Sequence, residues 1–524
     1  MNRRRALTVV MSASLAAVSL AACGGSGGSG STSSGVGKPW IMGTTDTVTA
    51  LDPSGAYDIG SWTLEYNLYQ TPLTIPAGQN KPEGDAAKSC TYTDPKTLKC
   101  TMKSGLTFSN GDPLTSEDVK YSVDRSIKIK DPVSSVSVLF SSVKSVAAPD
   151  PSTVIFHLKV PDQTFQYVLT TPAAAIVDHK VFADNKLLPD SQVIGSGPYT
   201  LAQYKPGQQA VFKANASYNG PNKPQSPEIF VQYFKESSAL KLAVQSGQVQ
   251  VAWRSLSPTD ITSLKSDSKV TVAEGQGGEI RYWVWRTQDG PGKSVAVRQA
   301  AAMLIDRSAI ATKAYSNTVT PLYSIVPPGL AGANQAFKTK YGASPNVSGA
   351  KKLLQQAGVK TPVPITLGYT PSHYGPNAVD EASEFQRELQ ASGLFKVSLK
   401  SAEWTQYQSL EKQGAYNLFQ LGWFPDYLDA DDYLAPFMVD GGFFANGYKS
   451  TKVDNLVNAE RAQTNVPKRE ALFGQLQDQA ATDVPFIPSW VGKNIAVYGQ
   501  GVSGVESTLD PSFIFRLWKI TFSG

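Results

Sequence analysis

One stretch constrains the fold of this chain more than any other: residues 416–438, reading YNLFQLGWFPDYLDADDYLAPFM. It opens with an apolar run, Leu418, Phe419 and Leu421, followed by Gly422 and Trp423, and such a run reads as a buried strand. Pro425 ends it, and four carboxylates follow within seven residues: Asp426, Asp429, Asp431 and Asp432. Asp429 and Asp432 have the spacing of a helix N-cap and its N3 partner. Asp429, Asp431 and Asp432 therefore have an ordinary use at the positive end of a helix. Asp426 has none. It stands at a strand-to-loop corner beside Trp423, Phe424 and Tyr427, where a carboxylate walled by aromatic rings suits a cationic ligand group. A surface turn with an exposed Asp is the competing reading. The D-x-D-x-D-G spacing of a calcium loop is absent.

The rest of the chain alternates strand and helix patterns, which predicts an α/β layer. Strands are expected near 40–51, at the start of 98–121, and near 153–158, 229–234, 281–285, 365–369 and 396–400. Helices are expected over 58–72, 115–121 (Thr115 as cap, Asp118 at N3), 237–246, 295–305, 348–357, 379–392, 453–462 and 468–480. Trp62, Tyr66 and Tyr69 share one face of the first helix, as a core stripe or as a ligand wall. A length of 524 residues predicts about three domains.

The N-terminus reads as an export signal. Arg3, Arg4 and Arg5 precede an uncharged run from Ala6 to Leu20, which is short for a membrane span. The run ends in Leu20-Ala21-Ala22-Cys23, similar to a bacterial lipobox, in which the cysteine is lipidated; an ordinary signal or uncleaved anchor is the alternative. Residues 24–37 are almost only Gly, Ser and Thr, a flexible tether with a reach of roughly 20 Å. In an exported chain Cys90 and Cys100 are expected to be disulfide-bonded, with two free thiols as the alternative. The chain holds three histidines and no H-E-x-x-H, C-x-x-C pair or nucleophile elbow outside the tether. No enzymatic activity, cofactor or metal site is expected, and the scattered Lys and Arg form no nucleic-acid stripe.

Several stretches together resemble the solute-binding proteins of peptide-type ABC importers, the family 5 oligopeptide, dipeptide and nickel group. They are CTMKSGLTFSNGDPLTSEDVKYSVDR (100–125), IGSGPYTLAQYKPGQQAVFKANASY (194–218), VRQAAAMLIDRSAI (297–310), AKKLLQQAG (350–358) and GWFPDY (422–427), in family order across nearly all of the mature chain.

The resemblance implies a two-lobed α/β, periplasmic-binding-protein-like (Venus flytrap) fold with an extra domain and two hinge crossings. Residues 1–22 would be the lipoprotein signal and 23–37 the tether. Domain I would take 38–60, 192–279 and 490–524, and domain II 61–191. Domain III would take 280–489. The ligand, a peptide or related small cationic solute, would lie between closing lobes and be delivered to a permease with its ATPase subunits. The protein would be a monomer held outside the cell membrane through lipidated Cys23. A ligand-sensing or surface lipoprotein on the same scaffold is the alternative.

In peptide-binding members a W-x-x-D motif, here Trp423 and Asp426, holds the ligand's ammonium, and an upstream Trp, here Trp404, lines the cleft. Tyr374, Tyr427 and Trp62 complete the expected ligand-binding set. The family's carboxylate-binding Arg is replaced: Ser372 stands at one such position and Gln420 at another, with Arg281 or Arg286 as substitutes.

Overall fold

The protein was described from a computed structural model, which covers residues 37–254, 256–371, 373–375 and 377–524. The signal, nearly all of the tether, Cys23 and Ser372 lie outside the described residues.

Two long antiparallel strands, Val270–Trp285 and Phe486–Gly499, form the spine. Eleven strands share one sheet around them. On one side the order runs outward through Leu418–Trp423, Val363–Tyr369 and Phe395–Ser401, all three mutually parallel. On the other it runs through Val251–Trp253, Trp40–Thr44, Glu228–Tyr233, Gln209–Ala214 and Tyr199–Lys205. Val319–Pro321 pairs with the spine off this path. The first group attaches to residues 280–285 of the spine and the second to residues 496–498. The spine register breaks between Gln276 and Ile280, and again between Arg281 and Tyr282. The first break is built on glycines. A Cβ on Gly277 would sit 2.1 Å from the carbonyl oxygen of Gly492, so the strands approach there more closely than any side chain allows.

The sequence expects a strand at 281–285; the observed strand, Val270–Trp285, is about three times as long. Glycine is disfavoured in strands, yet Gly275 and Gln276 pair with Asn494 and Lys493, and Gly277 and Gly278 fall in the register break. Trp283, Val284 and Trp285 are fully buried, and Trp283 stacks on Phe385 of the helix Ala378–Ala391 at 4.5 Å. That helix links the parallel strands 363–369 and 395–401 as a crossover.

A second, antiparallel sheet lies within residues 87–158: Ala87–Asp94, Thr97–Met102, Thr153–Leu158 and Val143–Asp150, in that order. It has its own core, including Trp62, Leu98, Phe108, Val119, Phe156 and Phe165. Cys90 and Cys100 face each other across the first two strands and their sulfurs are joined. The helix Ser116–Ile129 covers this region, started by the Thr115 N–H, which donates to Asp118 Oδ2 at 2.8 Å as the capping spacing predicts. Its Arg125 reaches into the main body, donating to Asp52 Oδ1 and Oδ2 at 2.7 and 2.6 Å with both residues buried. A helix at Trp404–Lys412 was not expected from the sequence; it buries only Tyr407, which leaves no apolar period to read.

Candidate ligand-binding cleft

The strand Leu418–Trp423 delivers its C-terminal end to a turn that four carboxylates shape. Asp429 caps a 3-10 turn, Ala430–Tyr433, accepting from the Asp431 N–H at 3.0 Å. Capping was expected to lead into an α-helix with Asp432 as partner; the turn is tighter and Asp431 takes that place. Asp429 also accepts twice from Arg469, at 2.7 and 2.8 Å, and Asp431 twice from Arg461, both at 3.0 Å. These arginines come from two later helices, Thr451–Ala462 and Val466–Asp483, and lock the turn from below. Asp432 folds the turn back on the strand. Its Oδ2 accepts from Trp423 Nε1 and from the Asp426 N–H, both at 3.0 Å.

Asp426 and Asp432 differ from the other two. Among the described residues no Lys or Arg forms an ion pair with either. Asp426 is half-buried; its Oδ2 accepts from the Tyr57 hydroxyl at 2.6 Å. Burial pushes the Asp426 carboxyl up to about 7, against the opposing effect of that hydrogen bond. Asp432 is 1% exposed, and burial, reinforced by the Asp426 charge, raises it well above the usual carboxylate range. Two neighbouring acids without a protein counter-ion are costly to ionise together, with burial the largest cause at both.

The aromatic surroundings come from distant segments. Trp423, half-buried, meets Phe437 and Phe443 edge-on at 5.0 and 5.3 Å. Tyr427 donates to Asp431 Oδ2 at 2.8 Å and packs on the core of the small sheet. Tyr57, which packs on Trp62 at 5.8 Å, belongs to that same neighbourhood. Trp62 itself is 4% exposed in the small-sheet core, its Nε1 donating to the Ala56 carbonyl oxygen. Trp404 and Tyr374 form a second group: Trp404 stacks on His373 at 3.8 Å, and Tyr374 meets it edge-on at 5.5 Å. Tyr374 lies over the Arg281 guanidinium at 4.2 Å. The expected residues thus fall into two groups along one strand end. The sequence does not reveal Tyr57, because its partner is 369 residues away. Arg286 is engaged by Asp289 at 2.7 Å, and Gln420 is fully buried with an unpartnered amide.

Asp118, Asp178 and His179 bring ligand atoms within 4.8 Å of one another. Protein donors already use these groups: His179 Nδ1 lies 2.6 Å from Asp118 Oδ1, Thr115 donates to Asp118, and Asn110 and the Lys180 N–H donate to Asp178.

The long sheet around the spine and the small antiparallel sheet, each with its own core, give the chain the make-up of a two-lobed periplasmic binding protein. The solved structures bear out that fold. ABC transporter substrate-binding protein CtaP from Listeria monocytogenes superposes with a TM-score of 0.81 at 21% identity, covering 93% of this chain and 100% of that one. The DppA periplasmic binding protein of Helicobacter pylori, in complex with the peptide STSA, gives 0.78 at 20% identity over 93% and 99%. The chain belongs to the bacterial extracellular solute-binding proteins of family 5, whose middle-region model matches residues 81–444. Among curated relatives, the probable D,D-dipeptide-binding periplasmic protein DdpA of Escherichia coli K12 is 26% identical over 467 residues, covering 85% of this chain and 87% of the relative.

Proposed function

We propose that this solute-binding protein captures short peptides, or a related cationic solute, for an ABC importer, with Asp426 holding the ligand's positive end. The observation that carries this reading is the Asp426–Asp432 pair, half-buried and buried respectively, aromatic-walled and without a protein cation. Trp423, Trp404, Tyr374 and Tyr427 form the walls, and Trp62 supports Tyr57 from behind. Relatives named for dipeptide binding, and a structural neighbour solved with a bound peptide, support the ligand class.

The domain division follows the same reading: 38–60, 192–279 and 490–524 as domain I, 61–191 as domain II, 280–489 as domain III. The chain crosses between lobes near 280 and 489, where the spine register is irregular. Closure there would present the closed monomer to its permease and ATPase partners. Cys23 would carry the lipid that holds the protein outside the membrane. The protein has no catalytic step in this reading. Mass spectrometry of the solute released by denaturing freshly purified protein tests it: peptides are expected, and a released solute without a cationic group overturns it.

A further inference from the structure

Lysines that stand far apart in the sequence are collected on one outer face of the fold. A cavity of about 620 Å³ opens there, walled by Thr74, Pro76, Glu83, Lys223, Arg516 and Trp518. Lys519 stands on the same wall, and Lys81 belongs to the loop between the wall residues Ala77 and Glu83. Lys38 follows Gly37, whose N–H donates at 2.8 Å to the carbonyl oxygen of Gln225, another wall residue. All four lysines are exposed, and among the described residues none of them forms an ion pair. The acids nearby offset them little. Glu83 is the only acid among the described wall residues, Asp510 is held by Arg516 at 2.9 Å, and Glu506 accepts from the Tyr498 hydroxyl.

The same rim is where the chain enters the folded body. Lys38 N–H donates to the Phe522 carbonyl oxygen at 2.7 Å, in the ribbon that pairs Val502–Ser503 with Thr521–Phe522. A Cβ on Gly37 would lie 3.1 Å from Ser226 Oγ and 3.2 Å from the Phe522 nitrogen, so the entry point is pinned between loop and ribbon. Residues 24–37 join Cys23 to this point, and a Gly/Ser chain of that length reaches roughly 20 Å. A lipid on Cys23 therefore keeps this face, and not the opposite one, close to the membrane.

We propose that this face rests on an anionic lipid surface, with Lys38, Lys81, Lys223 and Lys519 meeting headgroup phosphates around the cavity. The proposal rests on the reading of Cys23 as a lipid anchor. A lysine near an anionic surface strengthens binding about fivefold. The tether makes each such contact intramolecular in effect, so weak contacts suffice to fix which side of the body faces the membrane. Without the anchor nothing holds the face at that effective concentration, and loss of the lipid still frees the protein. The hydroxyls of Ser503, Ser507 and Thr521 and the Asn222 amide, all on the wall, supply neutral donors for phosphate oxygens.

Hydrogen exchange read by mass spectrometry tests this on the purified full chain, once its N-terminal peptide has been weighed for lipid at Cys23. The protein is placed on vesicles of phosphatidylcholine alone, or of an equal mixture of phosphatidylcholine and phosphatidylglycerol. Segments 74–84, 219–225 and 517–523 are expected to exchange more slowly on the anionic vesicles. The difference should vanish in about 1 M salt, where the screening length falls to about 3 Å. Lys223→Gln combined with Lys519→Gln should lower the docked-to-free ratio about twenty-fivefold, fivefold for each lysine. Both side chains are exposed, so the fold does not depend on them. Equal exchange on the two vesicle types by lipidated protein overturns the proposal and leaves the anchor standing. A difference that survives salt, or that the variant retains undiminished, overturns it too. A chain without lipid at Cys23 overturns the anchor reading and the proposal with it.

Discussion

Tyr57 and Asp426 meet at 2.6 Å, hydroxyl to carboxylate, although one precedes the first long helix and the other follows a strand of the large sheet. The hydroxyl donates to a carboxylate that burial alone pushes toward neutrality. The contact therefore does two things: it holds distant segments together, and it gives an acid without a protein counter-ion a hydrogen-bond donor.

Tyr57→Phe removes the donor and keeps the ring. A hydrogen bond to a charged group is worth about 1.5–3 kcal/mol, so ligand-free protein should lose stability on that order or less. If the contact links closing lobes, ligand-free Tyr57→Phe should also show a larger radius of gyration by X-ray scattering than ligand-free wild type. Wild type should contract on saturation with ligand. Identical ligand-free curves for the two proteins would remove Tyr57 from the closure.

The acid pair predicts a pH signature. Asp426 titrates near 7 when folded, above the unfolded value of about 3.9, and burial raises Asp432 in the same direction. The folded state then binds more protons than the unfolded state between those values, so ligand-free stability falls as pH rises from about 4 through 7. Binding of an ammonium needs the ionised carboxylate and runs the other way. Affinity should rise by up to about tenfold per pH unit between pH 5 and 7, with proton release visible as a buffer-dependent heat. A flat affinity profile would show that no acid in the site titrates on binding.

The parts of this molecule written in local pattern were legible in its sequence. The capping pair Thr115 and Asp118, the buried run Leu418–Leu421 and the helix face of Val297, Ala300 and Ala301 each follow from spacing within one element. The length of the two spine strands was not legible, because glycines that break an isolated strand are what let these two backbones touch. The candidate site was half legible. Asp426 stood out because its neighbours had capping work and it did not. Arg461 and Arg469, which neutralise Asp431 and Asp429, come from helices whose charges look like any solvated face. The contacts of Tyr57 with Asp426 and of Tyr374 with Arg281 exist only through tertiary structure, and no spacing within a segment encodes them.

Cys90 and Cys100 occupy directly paired positions in adjacent strands, with Cys100 fully buried. Intact protein should resist alkylation at both thiols until reductant is added. Reduction, or Cys90→Ser with Cys100→Ser, should cost about 2–4 kcal/mol in denaturant unfolding. Alkylation of both without reductant would show the thiols to be free.

Cys23→Ala should release the protein from the membrane fraction, since a Gly/Ser tether has no membrane affinity of its own. Unchanged, detergent-requiring association of that variant would mean that the N-terminal segment stays in the membrane as an uncleaved anchor.

Asp426→Asn keeps the shape of the side chain and removes its charge, so it separates electrostatics from packing. The amide still accepts from Tyr57, and Asp432 still holds Trp423, so the turn itself should survive. What is lost is the attraction for a ligand cation in a place where burial makes an unpaired charge expensive. Removing one partner of such a buried pair typically costs on the order of 3–5 kcal/mol, a loss of roughly a hundredfold to several thousandfold in affinity. The loss should fall on peptides with a free N-terminus and spare N-acetylated ones, which bind wild-type protein weakly already. Calorimetry on both ligand types in both proteins closes a double-mutant cycle whose coupling term reads the ammonium–Asp426 interaction directly. Equal losses for free and acetylated peptides would make Asp426 a structural residue and leave Asp432 as the acid to test next.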